Sequence, residues 1–199
     1  MILCVRNGRR GRKRKYIDLT LSILFSLSVL LGYYKDVSHM GEYCFISGSL
    51  VGITFLISFL YQRKHEKPLN ACIYLACMVD IFIIFIATVS IGLNLDGAFR
   101  FIHIINPIIL VIYWFVFCDQ RSMNWKGTLS VVLFPLLYML FAFVLYKING
   151  SCPFPASLIF MEYTGLIPLV ILVVLAIIVW VLGYILHMIN KFIRRNKER

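Results

Sequence analysis

Residues 69–93 read LNACIYLACMVDIFIIFIATVSIGL, an apolar run with one charged residue, Asp80. A helix of about 17 to 25 residues of this character crosses a hydrocarbon core, whereas a run this long exceeds what a core strand needs. Working outward, five further runs have the same character, at 17–34, 43–61, 101–117, 128–146 and 165–189. The pattern predicts an all-α polytopic membrane protein with six transmembrane helices. One membrane domain, 17–189, would lie between two basic tails, 1–16 and 190–199.

Basic charge alternates between the connecting segments, and Lys and Arg near span ends are retained on the cytoplasmic side. Seventeen of the 20 Lys and Arg fall in four segments: Arg6 to Lys15, Arg63 to Lys67, Arg121 and Lys126, and Lys191 to Arg199. The other three loops hold only Lys35, Arg100 and Lys147. Both termini are therefore expected in the cytoplasm, with the chain a multi-pass protein of the cell membrane. The first run is too long for a signal-peptide core and is expected to remain in the mature protein.

Net charge of +11 would by itself suit a nucleic-acid binder, but 61% of the chain is hydrophobic and the basic residues lie outside the apolar runs. They read as membrane anchors attracted to anionic headgroups, so membrane lipids are the expected partners and nucleic acid is not. No soluble catalytic domain fits in the connecting segments, and chemistry would have to sit within the bundle or at its rim. The six cysteines show no metal spacing, and neither metal nor cofactor is expected. Cys44 and Cys152 fall near the same outer surface, where a disulfide is one option and buried thiols the other. Oligomeric state is left open.

Ionisable groups inside a span are costly and mark candidate sites. Asp80 stands near the middle of the third run, with Ala76, Cys77, Ala87 and Thr88 on neighbouring turns. His103 stands near the outer end of the fourth, with Asn106 and Pro107 at helical spacing and Tyr113 further along. Pro107 has no amide to give the His103 carbonyl. The second run enters from the same side with Cys44, Ser47 and Ser49, and its Gly48 and Gly52 form a close-packing spacing. By depth, Ser47 or Ser49 is expected to share a layer with His103, the minimal arrangement for an activated nucleophile and base. Asp80 is expected roughly 10 Å deeper at 1.5 Å per residue. Asn106, Tyr113, Asp80 and Cys44 are the candidate pocket residues, while Asp18 and Asp119 are expected to be interfacial.

The segment from His103-Ile-Ile-Asn-Pro107 through Tyr113-Trp114-Phe115 to Trp125, with Phe134-Pro135 and Cys152-Pro153-Phe154-Pro155, resembles uncharacterised bacterial six-span membrane proteins. Those are distantly similar to the androgen-induced and androgen-dependent membrane hydrolases, which are proposed to cleave fatty-acid esters of hydroxy fatty acids with an intramembrane Thr and His. The resemblance implies a six-span fold and places His103 at that histidine. The threonine has no clean counterpart, because this chain offers Cys44, Ser47 and Ser49 instead.

Three functions follow as alternatives. The first is a lipid-ester hydrolase using His103 with Ser47 or Ser49. The second is a small transporter or channel-like protein using Asp80, although the halves show no internal repeat of the kind transporters carry. The third is a noncatalytic membrane protein that binds a lipid or a partner.

Overall fold

The computed structural model describes the backbone of residues 2–35 and 37–196, with side chains over 14–35 and 38–196. Among these residues there are helices and turns and no strand. The helices are α1 (Ile2–Tyr33), α2 (Tyr43–His65), α3 (Ala71–Ile91), α4 (Asn106–Phe117), α5 (Ser130–Asn149), the short α6 (Ser157–Phe160) and α7 (Ile167–Asn196). Five of them, over Arg14–Tyr33, Tyr43–His65, Ala71–Ile91, Trp125–Asn149 and Ile167–Asn196, are long and apolar enough to cross a membrane. The fourth apolar run is shorter, Phe101–Phe117, and opens with a π-helical turn at Phe101–Ile105. That widened turn falls where Pro107 withholds the amide an α-helix would use.

Two boundaries differ from expectation. The segment expected as a separate tail, 1–16, is helical from Ile2 and continuous with α1. At the other end α7 runs on to Asn196, past the expected boundary at 189. Lys and Arg continue a helix readily, so hydropathy marks where the apolar stretch ends and not where the helix does.

Turn chemistry sets the other ends. Asn70 caps α3 by accepting from the Cys72 amide at 3.0 Å. Gly92 and Gly150 close α3 and α5 at φ of 68° and 72°, a left-handed conformation that glycine adopts without a Cβ clash.

α1 and α2 pack with little space between them. A Cβ on Gly48 would stand 2.5 Å from Val29 Cγ2, and one on Gly52 would stand 2.7 Å from Ser26 Oγ and 3.3 Å from its backbone nitrogen. The Gly48/Gly52 spacing thus serves close helix approach, as the sequence suggests. Phe25, Val51, Phe55, Leu75, Val79 and Trp114 form the fully buried centre that α1, α2, α3 and α4 share. α5 and α7 stand to one side and meet closely at Gly183, where a Cβ would lie 2.9 Å from Val131.

At the end of the bundle that carries both chain termini, polar side chains tie the helices together. Asp18 accepts from Gln62 Nε2 and from the Tyr113 hydroxyl, both at 2.6 Å, and from the Ser58 hydroxyl. Ser58 also meets the Tyr74 hydroxyl at 2.5 Å, so α1, α2, α3 and α4 converge on one carboxyl. The sequence placed Asp18 at an interface with water or headgroups; it is instead fully buried. Asp119 does sit at the surface, where Arg121 bonds it at 2.6 Å and holds its carboxyl below the usual range.

The last carbonyls of α4 are capped by two arginines from opposite ends of the chain. Arg14 donates to Phe117 O at 2.9 Å while lying over the Tyr74 ring at 4.7 Å. Arg194 donates to Phe115 O and Val116 O, each at 2.8 Å. Cations suit this end of a helix because its free carbonyls carry the negative pole of the backbone dipole. Asn190 joins them by donating to Cys118 O at 3.2 Å, and Gln120 donates to Ala71 O at 3.0 Å.

Asp18→Ala removes the acceptor that Ser58, Gln62 and Tyr113 share inside the bundle. The expected loss is about 3 to 5 kcal/mol, the cost of breaking a buried polar cluster from one side. A thermal melt of the detergent-solubilised protein checks it: a transition well below wild type is expected, with Asp119→Ala within about 1 kcal/mol of wild type because its ion pair is exposed.

Candidate functional site

At the opposite end of the bundle, Tyr43 opens α2 and points its hydroxyl at Asp80 of α3, donating to Oδ1 in a buried hydrogen bond. The ring is packed edge-on against Tyr138 at 4.9 Å between centroids. Tyr138 in turn donates its hydroxyl to Phe154 O at 2.8 Å, and the Tyr43 amide donates to the same carbonyl at 3.2 Å. The connection after α5 is therefore drawn down over the start of α2, and its own Ala156, Ile159 and Phe160 are buried.

Asp80 thus lies level with the first turns of α2, not 10 Å deeper. The side chain of Tyr43 spans the distance to Asp80, and Ser47, one turn further along α2, lies against the same carboxyl. Ser47 Oγ lies against this carboxyl and phenol. Neither contact has hydrogen-bond geometry, and Ser47 Oγ and Asp80 Oδ2 are both buried without a partner. Ser47 is 0% and Asp80 2% exposed, so solvent does not supply one.

Beside this group lies a cavity of about 340 Å³ between α2, α3, α5, α6 and α7. Its walls include Tyr43, Cys44, Ile84, Pro135, Ile159 and Ala176, with no charged residue among the lining side chains. It is elongated. The lining runs from Val132 to Met139 on α5 and from Ile171 to Val179 on α7, about 10 and 12 Å at 1.5 Å per residue. Leu136, Leu158 and Leu175, which also line it, are 43, 52 and 38% exposed, so its rim is apolar as well.

The remaining predicted site residues are dispersed. His103 is buried, with Nδ1 2.7 Å from Asn94 O and its ring against Phe99 at 5.7 Å. A carbonyl only accepts, so Nδ1 carries the proton and the partnerless Nε2 keeps its lone pair. The expected hydrogen bond between His103 and Ser47 or Ser49 does not form: Ser47 faces Asp80 and Tyr43, and Ser49 is a half-buried residue on the next face of α2. Asn106 turns toward α1, donating to Ser28 Oγ at 2.7 Å. Tyr113, about 15 Å along the helix from His103, belongs to the Asp18 cluster. Asn106, Tyr113, Asp80 and Cys44 therefore do not share one pocket. Cys44 faces the apolar cavity and Cys152 lines a separate polar cleft with Glu42; both thiols are unbonded.

Sequence reasoning missed Tyr43 and the cavity. Tyr43 and Ser47 stand at i and i+4 on one face of α2, a signal that was present but counted as helix packing. The cavity has no such signal, since its residue types match those of any apolar core. Among the described residues no group of His, Cys, Asp and Glu could hold a metal ion.

Comparison with protein-family models, with curated proteins and with solved structures finds no match to this chain.

Proposed function

We propose that this chain is a six-span protein of the cell membrane, with both termini in the cytoplasm, that holds the hydrocarbon chain of a membrane lipid in the cavity between α3, α5 and α7. The observation that carries the reading is the cavity itself. Its lining extends over about two turns of both α5 and α7 and is apolar, its rim includes exposed leucines, and its volume falls at the lower end of the roughly 300 to 1,000 Å³ typical of ligand sites. A rim of leucine opens favourably to acyl chains and unfavourably to water. The fourth helix, Phe101–Phe117, spans about 25 Å at 1.5 Å per residue, close to a hydrocarbon core of about 30 Å. Its last carbonyls, which would otherwise end within the apolar layer, are covered by Arg14 and Arg194. The cytoplasmic assignment of both termini rests on the distribution of Lys and Arg.

One observation favours a second reading, the lipid-ester hydrolase suggested by the resemblance of the His103 segment. His103 keeps a buried Nε2 lone pair that could accept a proton. What this reading lacks is a nucleophile in place beside it, since Ser47 faces Asp80 and Tyr43.

Ala176→Trp places an indole in the cavity. Native mass spectrometry of the purified protein is expected to show lipid carried through delipidation by wild type and lost from this variant, and equal retention would refute the lipid site. For topology, on a Cys152→Ser background, Lys64→Cys should react with an impermeant maleimide only after cells are opened, and Ser151→Cys should react in intact cells; the reverse pattern would invert the orientation. Turnover of a panel of lipid esters that is abolished by His103→Ala would support the hydrolase, and turnover preserved in that variant would remove it.

A further inference from the structure

The polar cleft that Glu42 and Cys152 line lies further out along the bundle than the apolar cavity. On α5 the cavity lining ends at Met139 and the cleft lining begins at Leu145, about 9 Å nearer the end of the helix at 1.5 Å per residue. The cleft has a volume of about 400 Å³, and Ser38, His39, Asn149 and Ser151 on its lining are exposed, so it is open from outside the bundle. The Tyr43 amide on Phe154 O holds its two sides together. Among the described residues that line it, Glu42 is the one carboxylate, and there is no Lys or Arg. That carboxylate is fixed in place: Tyr33 donates its hydroxyl to Oε2 at 3.1 Å, and His39 Nδ1 lies 2.6 Å from Oε1. A carboxylate accepts at roughly four lone-pair positions, so these two contacts leave it with capacity. The end of α5 adds to the negative field, because the last carbonyls of a helix carry the negative pole of its dipole. The positive pole of α2, which begins after Glu42, amounts to about half a charge, less than the carboxylate in front of it.

We infer that this cleft binds a primary ammonium group, with Glu42 as its counter-ion and Asn149 and Ser151 as further acceptors. The site stands apart from the lipid cavity, and neither requires the other. A primary ammonium has three N–H donors and no acceptor, which matches a lining of one carboxylate, an amide, hydroxyls and helix-end carbonyls. Its bond to Glu42 is charge-assisted, the stronger kind of hydrogen bond. A trimethylammonium group has no N–H to give and is recognised by cages of aromatic rings, whereas Phe154 is the one aromatic residue in the described lining. Phosphate would meet no Lys or Arg there. Calcium takes about six to eight oxygens, commonly with several carboxylates among them, and the described lining supplies one carboxylate. Two sources carry the ammonium group: the ethanolamine headgroup of a membrane phospholipid, and a free small amine.

The test titrates the purified full chain in detergent with ethanolamine, choline, inorganic phosphate and calcium by calorimetry. In parallel, native mass spectrometry measures retention of phosphatidylethanolamine and phosphatidylcholine with the same acyl chains. Both are run on wild type, Glu42→Gln and Ser151→Lys, with the melting temperature of each. Glu42→Gln keeps the shape of the side chain and removes its charge, and Ser151→Lys sets a tethered ammonium at an exposed position of the lining. Wild type is expected to bind ethanolamine about tenfold tighter than choline, and each variant to lose about tenfold in ethanolamine affinity, the size of one charge-assisted hydrogen bond. A preference for phosphatidylethanolamine that both variants abolish assigns the group to a lipid headgroup. Ethanolamine binding without that preference assigns it to a free amine. If Glu42→Gln lowers the melting temperature, Ser151→Lys decides alone, since its site is exposed. The site is overturned if wild type shows neither ethanolamine binding nor the lipid preference, or if choline, phosphate or calcium binds as tightly as ethanolamine. Binding that persists unchanged in either folded variant overturns it as well.

Discussion

The carboxyl of Asp18 is the point on which the bundle closes. It takes hydrogen bonds from α2 and α4 while belonging to α1, and through Ser58 it reaches Tyr74 of α3. A bundle whose outside is as apolar as its inside gains little from sorting hydrophobic residues inward, so register has to come from small-residue contacts and from polar groups that bond only in one arrangement. Asp18 supplies the second and Gly48 with Gly52 the first. Sliding α2 by one turn against α1 would separate Gln62 and Ser58 from the carboxyl and drive Val29 into a helix face that has room only for glycine.

Both ends of the bundle combine paired polar groups with buried atoms that have no partner. Around Asp18 and the end of α4, most donors and acceptors are matched, and arginines from the first and last helices are both spent on α4 carbonyls. At the opposite end His103 Nε2, Asn106 Oδ1, Ser47 Oγ and Asp80 Oδ2 are all buried and unmatched. Trp114 Nε1, Gln120 Oε1, His187 Nδ1 and Arg194 Nε are unmatched as well, so unpaired atoms, each of which weakens a fold, are not confined to the end that holds the apolar cavity.

The sequence makes the helices legible because length and hydropathy are local properties. The third and fifth runs, for instance, end near Gly92 and Gly150 as their composition suggests. Partners were harder, because they depend on register between helices and on side-chain reach. Tyr113 lies on a plausible continuation of the His103 face, yet α4 carries it to the far end of the bundle. Asp80 has a depth that can be counted along α3, but the count ignores the length of the Tyr43 side chain that meets it. Asp18 was assigned to the surface because the apolar run begins at its neighbour, whereas α1 carries Arg14 inward one turn earlier and lets it lie on the Tyr74 ring. The dispersal of the expected site has the same origin: residues three and four apart share a face, but a face is not yet a pocket.

On the six-span reading, α4 is a low section in an otherwise taller wall. Ile108, Ile112 and Val116 form an outward stripe on it, and Phe101–Phe117 is shorter than the helices to either side. A bilayer meeting that stripe must dimple to match it, and the guanidinium groups of Arg14 and Arg194 sit where the dimple would bring headgroups and water closest. The protein would then rest more easily in thin membranes than in thick ones, and would lean its shallow side toward them.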